Sequence, residues 1–288
     1  MNILQFAVSG LLIGGVYALI ALGIVLVFKA TGVFNFAAGH IMALGAFLAY
    51  LLMVQVGVPI WAGIVIAVLV AALIGILVER LALRRLIGQA HMSALMATLA
   101  LAYFLQGLML AVWESKVLTL PKFLPTGSVT TGLVIDAELL WPFVIVMILF
   151  GAFAIFFART KVGLGMRATA EDHQLAQLKG INVKFVFALT WALAAALSTI
   201  AGILLGHRLG VSIPLVFVGF KVIPVVLLGG LNSIAGAIVG GLIVGLVESF
   251  VAGFFNAWLA SIAPFIVLLI VMLIRPEGIF GQKRIERV

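Results

Sequence analysis

The sequence predicts an all-α fold, a polytopic membrane bundle of about eight or nine transmembrane helices. Three observations predict it. Of 288 residues, 65% are hydrophobic and 9% are charged, against roughly 25% charged and about 45–50% apolar in a soluble domain. Mean hydropathy is +1.38. The apolar residues form runs long enough to cross a bilayer, and the basic residues fall between them in short loops. A water-soluble chain of this composition would lack polar side chains to cover its surface, so lipid is the solvent. The 31 glycines suit close helix packing. The chain has no cysteine, which removes disulfides and thiolate metal sites. A net charge of +8 would suggest nucleic acid for a soluble protein. Here the basic residues report membrane orientation, and no nucleic-acid partner is expected.

The N-terminal stretch Met1 to Ser9 carries no side-chain charge and no small-residue cleavage pattern. It reads as the start of a first helix rather than a cleaved signal peptide. Spans are predicted at 9–28, 34–54, 60–78, 93–112, 139–158, 185–206, 233–254 and 258–274. The stretch 214–230 is apolar but holds Lys221 and Pro224, so it is either a ninth crossing or a re-entrant piece. Broken or re-entrant helices are expected near 29–40 and 214–232. No linker divides the chain, which reads as one transmembrane domain over 1–288. Most of the 17 basic residues gather at one face: Lys29, then Arg80, Arg84 and Arg85, then Arg159, Lys161, Arg167, Lys179 and Lys184, then Arg275, Lys283, Arg284 and Arg287. By the positive-inside rule that face is cytoplasmic, the C-terminus with it, and the loop 113–138 is external. The N-terminus is then external too. An odd number of crossings follows, so 214–230 counts as a span at least in part.

One repeat is visible. Gly32-x-x-Asn35-x-x-Ala38-Gly39-x-Ile41 recurs as Gly229-x-x-Asn232-x-x-Ala235-Gly236-x-Ile238. It is either a transporter-type pair of broken helices or coincidence in a chain rich in Gly and Ala. Asn35 and Phe36 open the second span, as lining of a path for a small polar solute or as a plain helix cap. With His40, and with Asn232 and Ser233 of the second copy, they form the predicted substrate path. Gly236, Gly240, Gly241 and Gly245, and likewise Ala194, Ser198 and Gly202, follow small-residue spacing, which serves packing within the chain or against a second subunit. His40 and Glu248 are ionisable groups inside spans. Two scattered groups do not make a proton relay.

The segment 159–184 reads as a cytoplasmic connection containing one short helix. Glu171 and Asp172 fall in its first half, Lys179 ends it and Gly180 stops it. Leu164, Ala168, Leu175 and Leu178 share a stripe. The stripe lies on lipid headgroups or docks a cytoplasmic partner. No phosphate-binding loop, metal-binding His-x-x-x-His motif, nucleophile elbow or carboxylate pair on one span face is present in the sequence, so the chain is not expected to be an enzyme.

Five stretches carry a family resemblance: GLLIGGVYALIALGIVLVF (Gly10–Phe28), GVFNFAAGHIMALGAFLAY (Gly32–Tyr50), GMRATAEDHQLAQLKGINV (Gly165–Val183), VLLGGLNSIAGAIVGGLIVGLVES (Val226–Ser249) and the closing RPEGIFG (Arg275–Gly281). In this order and at this length the chain resembles the permease subunits of branched-chain amino acid ABC importers, the smaller, LivH-type permease. The resemblance implies a bacterial inner-membrane subunit with no cofactor of its own, ATP being bound by partner subunits. The implied partners are a second permease of the different LivM type, two cytoplasmic ATPases, a periplasmic solute-binding protein and membrane lipid. It makes the helix at 165–180 the coupling element, through Arg167, Glu171, Asp172, Leu175, Leu178 and Gly180. Family members often carry an acidic residue where this chain has His40, and relatives are also associated with urea, amides and aromatic acids. The alternative is an ion-coupled carrier or channel for a small polar solute. That reading calls for intramembrane titratable pairs and no docking helix.

Overall fold

The computed structural model describes residues 3–86, 89, 91–130 and 134–281. The basic residues Lys283, Arg284 and Arg287 lie outside the described residues. The helices are α1 (Ile3–Thr31), α2 (Ala38–Tyr50, continued by a π-helical turn Leu51–Gln55), α3 (Ile60–Leu81), α4 (His91–Trp113), α5 (Ala137–Arg159), α6 (Lys161–Glu171), α7 (His173–Leu178), α8 (Val183–Leu209), α9 (Val216–Gly229), α10 (Ile234–Phe254) and α11 (Ala257–Ile274). Eight of them are long and apolar enough to cross a membrane. Between α4 and α5 the loop holds a small antiparallel hairpin, β1 (Ser128–Thr130) with β2 (Val134–Asp136).

The centre of the bundle is α1, α2 and α8. Of their most apolar windows 83%, 67% and 78% are buried within the chain, against 33% or less for every other span. The pattern follows from glycine. Gly10 lies against Gly245 and Gly14 against Gly241, so α1 and α10 run antiparallel at backbone contact. Gly23 of α1 meets Ala194 and Ser198 of α8, and Gly202 of α8 meets Met42 of α2. Gly236 and Gly240 of α10 meet Gly229 and Val225 of α9. The small-residue stripes are thus used within the chain, on three different partners. In hydrocarbon, where burial of apolar surface gives no drive, such close approach is what holds helices together.

Three further contacts set directions. Phe34, His40 and Phe47 at the start of α2 and along it meet Thr98, Gln106 and Trp113 of α4 in the same order, so α2 and α4 run parallel. Gly75 of α3 abuts Trp191 of α8, and Arg84 reaches the Lys184 carbonyl, so α3 and α8 run antiparallel. Leu118 bridges Val211, which places the end of α8 beside the loop that carries the hairpin. The bundle therefore has a hairpin end and an α6–α7 end.

Both expected interruptions exist. After α1 the chain turns at Gly32 (φ 70°) and runs non-helically over 33–35 before α2 begins at Ala38. The second interruption is α9. Its 14 residues span about 21 Å at 1.5 Å per residue, short of the roughly 30 Å of a hydrocarbon core. It nevertheless links the hairpin end, where α8 finishes, to the opposite half, where α10 begins, so 213–229 completes most of a crossing. Its exposed carbonyls are used by the closing segment: Ile279 N–H donates to Leu228 O at 2.8 Å and Phe280 N–H to Gly229 O at 3.2 Å. Gly230 (φ 100°) and Gly278 (φ 83°) make the turns that this contact needs. The RPEGIFG motif thus caps a short helix whose last carbonyls would otherwise be orphaned.

Candidate functional site

The predicted path residues divide into two places. Asn35, Phe36 and His40 come together against α9, around Gly39 and Gly219, where the two glycines bring α2 and α9 to backbone contact. Asn35 is buried, and its Oδ1 accepts from Ala37 N–H at 3.0 Å. It tightens the turn into α2 instead of capping the first helical turn, because the N-cap position is Ala37. His40 Nε2 lies 3.4 Å from Gln106 Oε1, and its ring meets the Phe220 edge at 6.3 Å. The void these residues line is ≈ 10 Å³, about enough for one water. Asn232 and Ser233 stand elsewhere, at the α9–α10 turn. Asn232 is exposed, and Ser233 Oγ caps α10 by accepting from Gly236 N–H at 2.9 Å. Each repeat copy therefore starts a helix after a break, and the two asparagines do not share a pocket.

His40 and Glu248 stand apart, but Glu248 has partners. Glu248 of α10 pairs with Lys221 of α9 at 2.5 Å and accepts from the Tyr17 hydroxyl of α1 at 2.8 Å. This is the titratable pair that sequence reading counted as missing. The partners are 27 positions apart on consecutive helices, a spacing that periodicity does not see. A buried carboxylate, Glu79, ends α3 and takes a two-point contact from Arg84, Nε at 3.0 Å and Nη2 at 2.6 Å. Arg84 was visible in the sequence as an orientation charge. That it anchors Glu79 was not, since the two are five residues apart across a helix end.

The expected coupling helix is two helices. Thr160 caps α6 by accepting from Gly163 N–H at 2.9 Å. Asp172 ends α6 and restarts the chain as α7, its Oδ1 accepting from Gln174 N–H at 2.7 Å and Leu175 N–H at 2.9 Å. A carboxylate that satisfies two orphan donors stabilises the break more than helical propensity opposes it. Gly180 then turns the chain at φ 82°. The element is held at both sides. Arg167 donates to the Phe157 carbonyl at the end of α5 and sits over the Phe157 ring, 5.5 Å from its centre. His173 Nε2 donates to Ala30 O at the end of α1, at 2.8 Å. Met166, Thr169 and Ala176 face the bundle, while Leu164, Leu175 and Leu178 are 58%, 60% and 82% exposed and Glu171 is exposed. Of the expected stripe, the three leucines are exposed on the two sides of the break, while Ala168 is half-buried.

Comparison with known proteins follows the same lines. A family model described as branched-chain amino acid transport system / permease component matches residues 6–272. The high-affinity branched-chain amino acid transport system permease protein BraD of Pseudomonas aeruginosa is 34% identical over 99% of this chain and 98% of its own length. The permease protein LivH of the corresponding Escherichia coli K12 system is 30% identical over 99% of this chain and 97% of its own length. Among solved structures, PsaBC from Streptococcus pneumoniae in complex with Fab shares the fold, with TM-score 0.52, 16% identity, 96% of this chain covered and 94% of that one.

Proposed function

The chain belongs to the family of branched-chain amino acid transport system permease components, and from that premise we propose how it works as the membrane-spanning permease of an ABC importer for small aliphatic amino acids. The α6–α7 end faces the cytoplasm with the C-terminus, and an ATPase subunit docks there. One observation carries this reading: α6 and α7 leave Leu164, Leu175 and Leu178 exposed on a scaffold fastened to α1 and α5. A helix resting on headgroups needs no such fastening. A docking element needs it, because force from a nucleotide-driven partner reaches the spans only through rigid attachments. Glu171, Asp172 and Gly180 shape that element and Arg167 fixes it.

A second, LivM-type permease completes the translocation path, and a periplasmic binding protein delivers solute at the hairpin end. ATP is bound by the two cytoplasmic subunits, so this chain needs no cofactor, and the membrane is the bacterial inner membrane. Asn35, Phe36 and His40 form the constricted part of the path beside α9. Asn232 and Ser233 bound the path where α9 turns into α10. The Lys221–Glu248 pair is the observation that favours the rival reading, an ion-coupled carrier. The two are separated by energy source: uptake through this chain requires ATP hydrolysis and persists when a protonophore collapses the proton gradient.

Leu175→Asp tests the docking assignment. It places a carboxylate in the contact and touches no span. The permease still inserts, while co-purification of the ATPase and solute-stimulated ATP hydrolysis fall by at least about tenfold, as expected when a charge is desolvated without a partner. Full ATPase binding with full transport in this variant would show that α6–α7 merely lies on the membrane.

A further inference from the structure

A second cavity of the protein lies across α9 from Asn35 and His40, lined by Val218 and Lys221 where theirs is lined by Gly219 and Phe220. It is a chamber of ≈ 230 Å³ between α1, α5, α8, α9 and α10. Its walls are aliphatic, with Leu12, Val16, Leu204, Leu205 and Val218 among them. Tyr17, Lys221 and Glu248, in contact with one another, also line it. The chamber shares a lip, Ile13, Glu138, Leu139 and Arg208, with a wide groove of ≈ 900 Å³ at the hairpin end. Among the described residues neither Glu138 nor Arg208 makes an ion pair within 4.0 Å. The chamber thus holds two carboxylates and two cations on otherwise aliphatic walls, Glu138 and Arg208 shared with the groove and Lys221 and Glu248 paired with each other.

We infer that this chamber is a binding site for a zwitterionic aliphatic α-amino acid on its way through the chain, an inference that rests on the permease reading above. The ligand's ammonium takes Glu248 and its carboxylate takes Lys221, with Tyr17 free to donate to either carboxylate. The side chain lies on Leu12, Val16, Leu204, Leu205 and Val218. The chemistry selects for a zwitterion. Without ligand, Lys221 and Glu248 satisfy each other at 2.5 Å. A ligand with both charges exchanges one ion pair for two and leaves no charge alone. An amine without the carboxylate, or an acid without the ammonium, leaves Lys221 or Glu248 unpaired in a poorly solvated site, which is strongly unfavourable. A neutral solute gains nothing by separating the pair. Glu138 and Arg208 offer the same two contacts at the lip, so the ligand stays oriented as it enters. The chamber is smaller than the roughly 300–1,000 Å³ of drug-sized ligand sites, in keeping with a single amino acid.

The test uses the assembled importer in proteoliposomes. The chain has no cysteine of its own, so Val218→Cys puts a single thiol in the chamber wall, and labelling of this chain is read by mass. Millimolar L-leucine is expected to slow modification of Val218→Cys by a small charged thiol reagent by about tenfold or more, while isoamylamine and 4-methylpentanoate do not. A cysteine at Lys122, in the loop between α4 and α5, reacts at one rate throughout. Lys221→Met with Glu248→Gln, a double change that leaves no lone buried charge, abolishes the protection. It also raises the KM for leucine uptake by about tenfold or more. Co-purification of the ATPase shows that the double variant folds and docks, and hydrolysis stimulated by loaded binding protein is followed in the unmodified complex. Absence of leucine protection in a complex that retains this stimulated hydrolysis overturns the chamber assignment alone. Protection that survives the double change, or that isoamylamine gives equally, overturns it as well. Loss of stimulated hydrolysis in the unmodified complex overturns the permease reading and this inference with it.

Discussion

Replacing Gly14 by alanine adds one methyl group where α1 lies against α10. The new Cβ would stand 2.5 Å from the Gly241 carbonyl oxygen and 3.0 Å from the Leu242 Cα. Carbon–oxygen contacts across helix interfaces sit at about 3.3–3.6 Å, so the helices must part by about 0.8 Å. Neither obstacle is a flexible side-chain end; both are backbone. Parting at Gly14 also opens the neighbouring contacts of Gly10 with Gly245 and of Ser249 Oγ with Phe6 O, the latter a hydrogen bond of 2.7 Å. Overpacking of this kind costs about 1–3 kcal/mol. At roughly 2–4 °C per kcal/mol for a chain of this order of size, Tm falls by about 2–12 °C.

The control is Gly107→Ala in α4, where a Cβ meets nothing within 4 Å. There alanine gains the helix propensity that glycine lacks, about 0.8–1 kcal/mol. Its Tm stays level or rises. Thermal unfolding of the purified chain in one detergent, followed by tryptophan fluorescence, measures both. Gly14→Ala combined with Gly241→Ala is less damaging than the sum of the two, because helices already parted for one methyl accommodate the second. Equal melting of Gly14→Ala and Gly107→Ala would refute the argument that glycine contact, rather than glycine content, assembles this bundle.

Three other outcomes follow from particular contacts. Arg84→Met leaves the Glu79 carboxylate buried without its partner and lowers stability by about 3–5 kcal/mol, whereas adding Glu79→Met recovers much of that loss in the same melting assay. Cysteines at Glu114 and Lys122 react with a membrane-impermeant thiol reagent from outside intact cells, and those at Arg84 and Lys179 react only after the inner face is exposed. Labelling of Lys179→Cys from outside would reverse the orientation. Asn35→Leu, which removes the oxygen that holds Ala37 N–H at 3.0 Å, slows uptake by about tenfold, judged from a net hydrogen-bond value of about 0.5–1.5 kcal/mol plus an apolar wall beside a one-water void. Asn232→Leu, at an exposed turn, changes uptake less, and the reverse order in a radiolabelled leucine assay would place the constriction at the α9–α10 turn.

The spans were legible because hydrocarbon imposes one simple demand, long runs of apolar residues, on every crossing. Several span ends fall where a charge or proline interrupts those runs, as Pro59 does before α3, Asp136 before α5 and Arg159 at its end. The second span begins at Ala38, later than an apolar window suggests, because 33–35 run non-helically after Gly32 turns the chain at positive φ. The α6–α7 break was hidden for a related reason. Asp172 suits the first half of a helix by charge and an N-cap by side-chain geometry, and only the backbone decides between them. The Lys221–Glu248–Tyr17 cluster joins three helices from distant parts of the chain, so no local pattern announces it. Lys221 and Glu248 stood out in the sequence as charges inside apolar runs, whereas nothing local marked Tyr17 as their partner.

The two ends of the proposed cycle meet on α1. His173 of α7 holds the Ala30 carbonyl at one end of this helix, and Tyr17 reaches Glu248 from its middle. The two positions are 13 residues apart, about 20 Å along a rigid helix. Between them α1 is almost wholly buried and lies in glycine contact with α8 at Gly23. A close-packed helix transmits displacement instead of absorbing it. A shift of α7 on its partner therefore moves Ala30, and with it the Tyr17 hydroxyl that shares Glu248 with Lys221. That hydrogen bond is 2.8 Å long, and displacements of an ångström or two break such bonds. Docking at α6–α7 and the state of the charged cluster are in this way coupled through one helix. His173→Ala removes the link without removing the docking surface. It is expected to leave ATPase binding intact and to lower the solute uptake per ATP hydrolysed. Unchanged stoichiometry in that variant would mean that α5, through Arg167, carries the coupling instead.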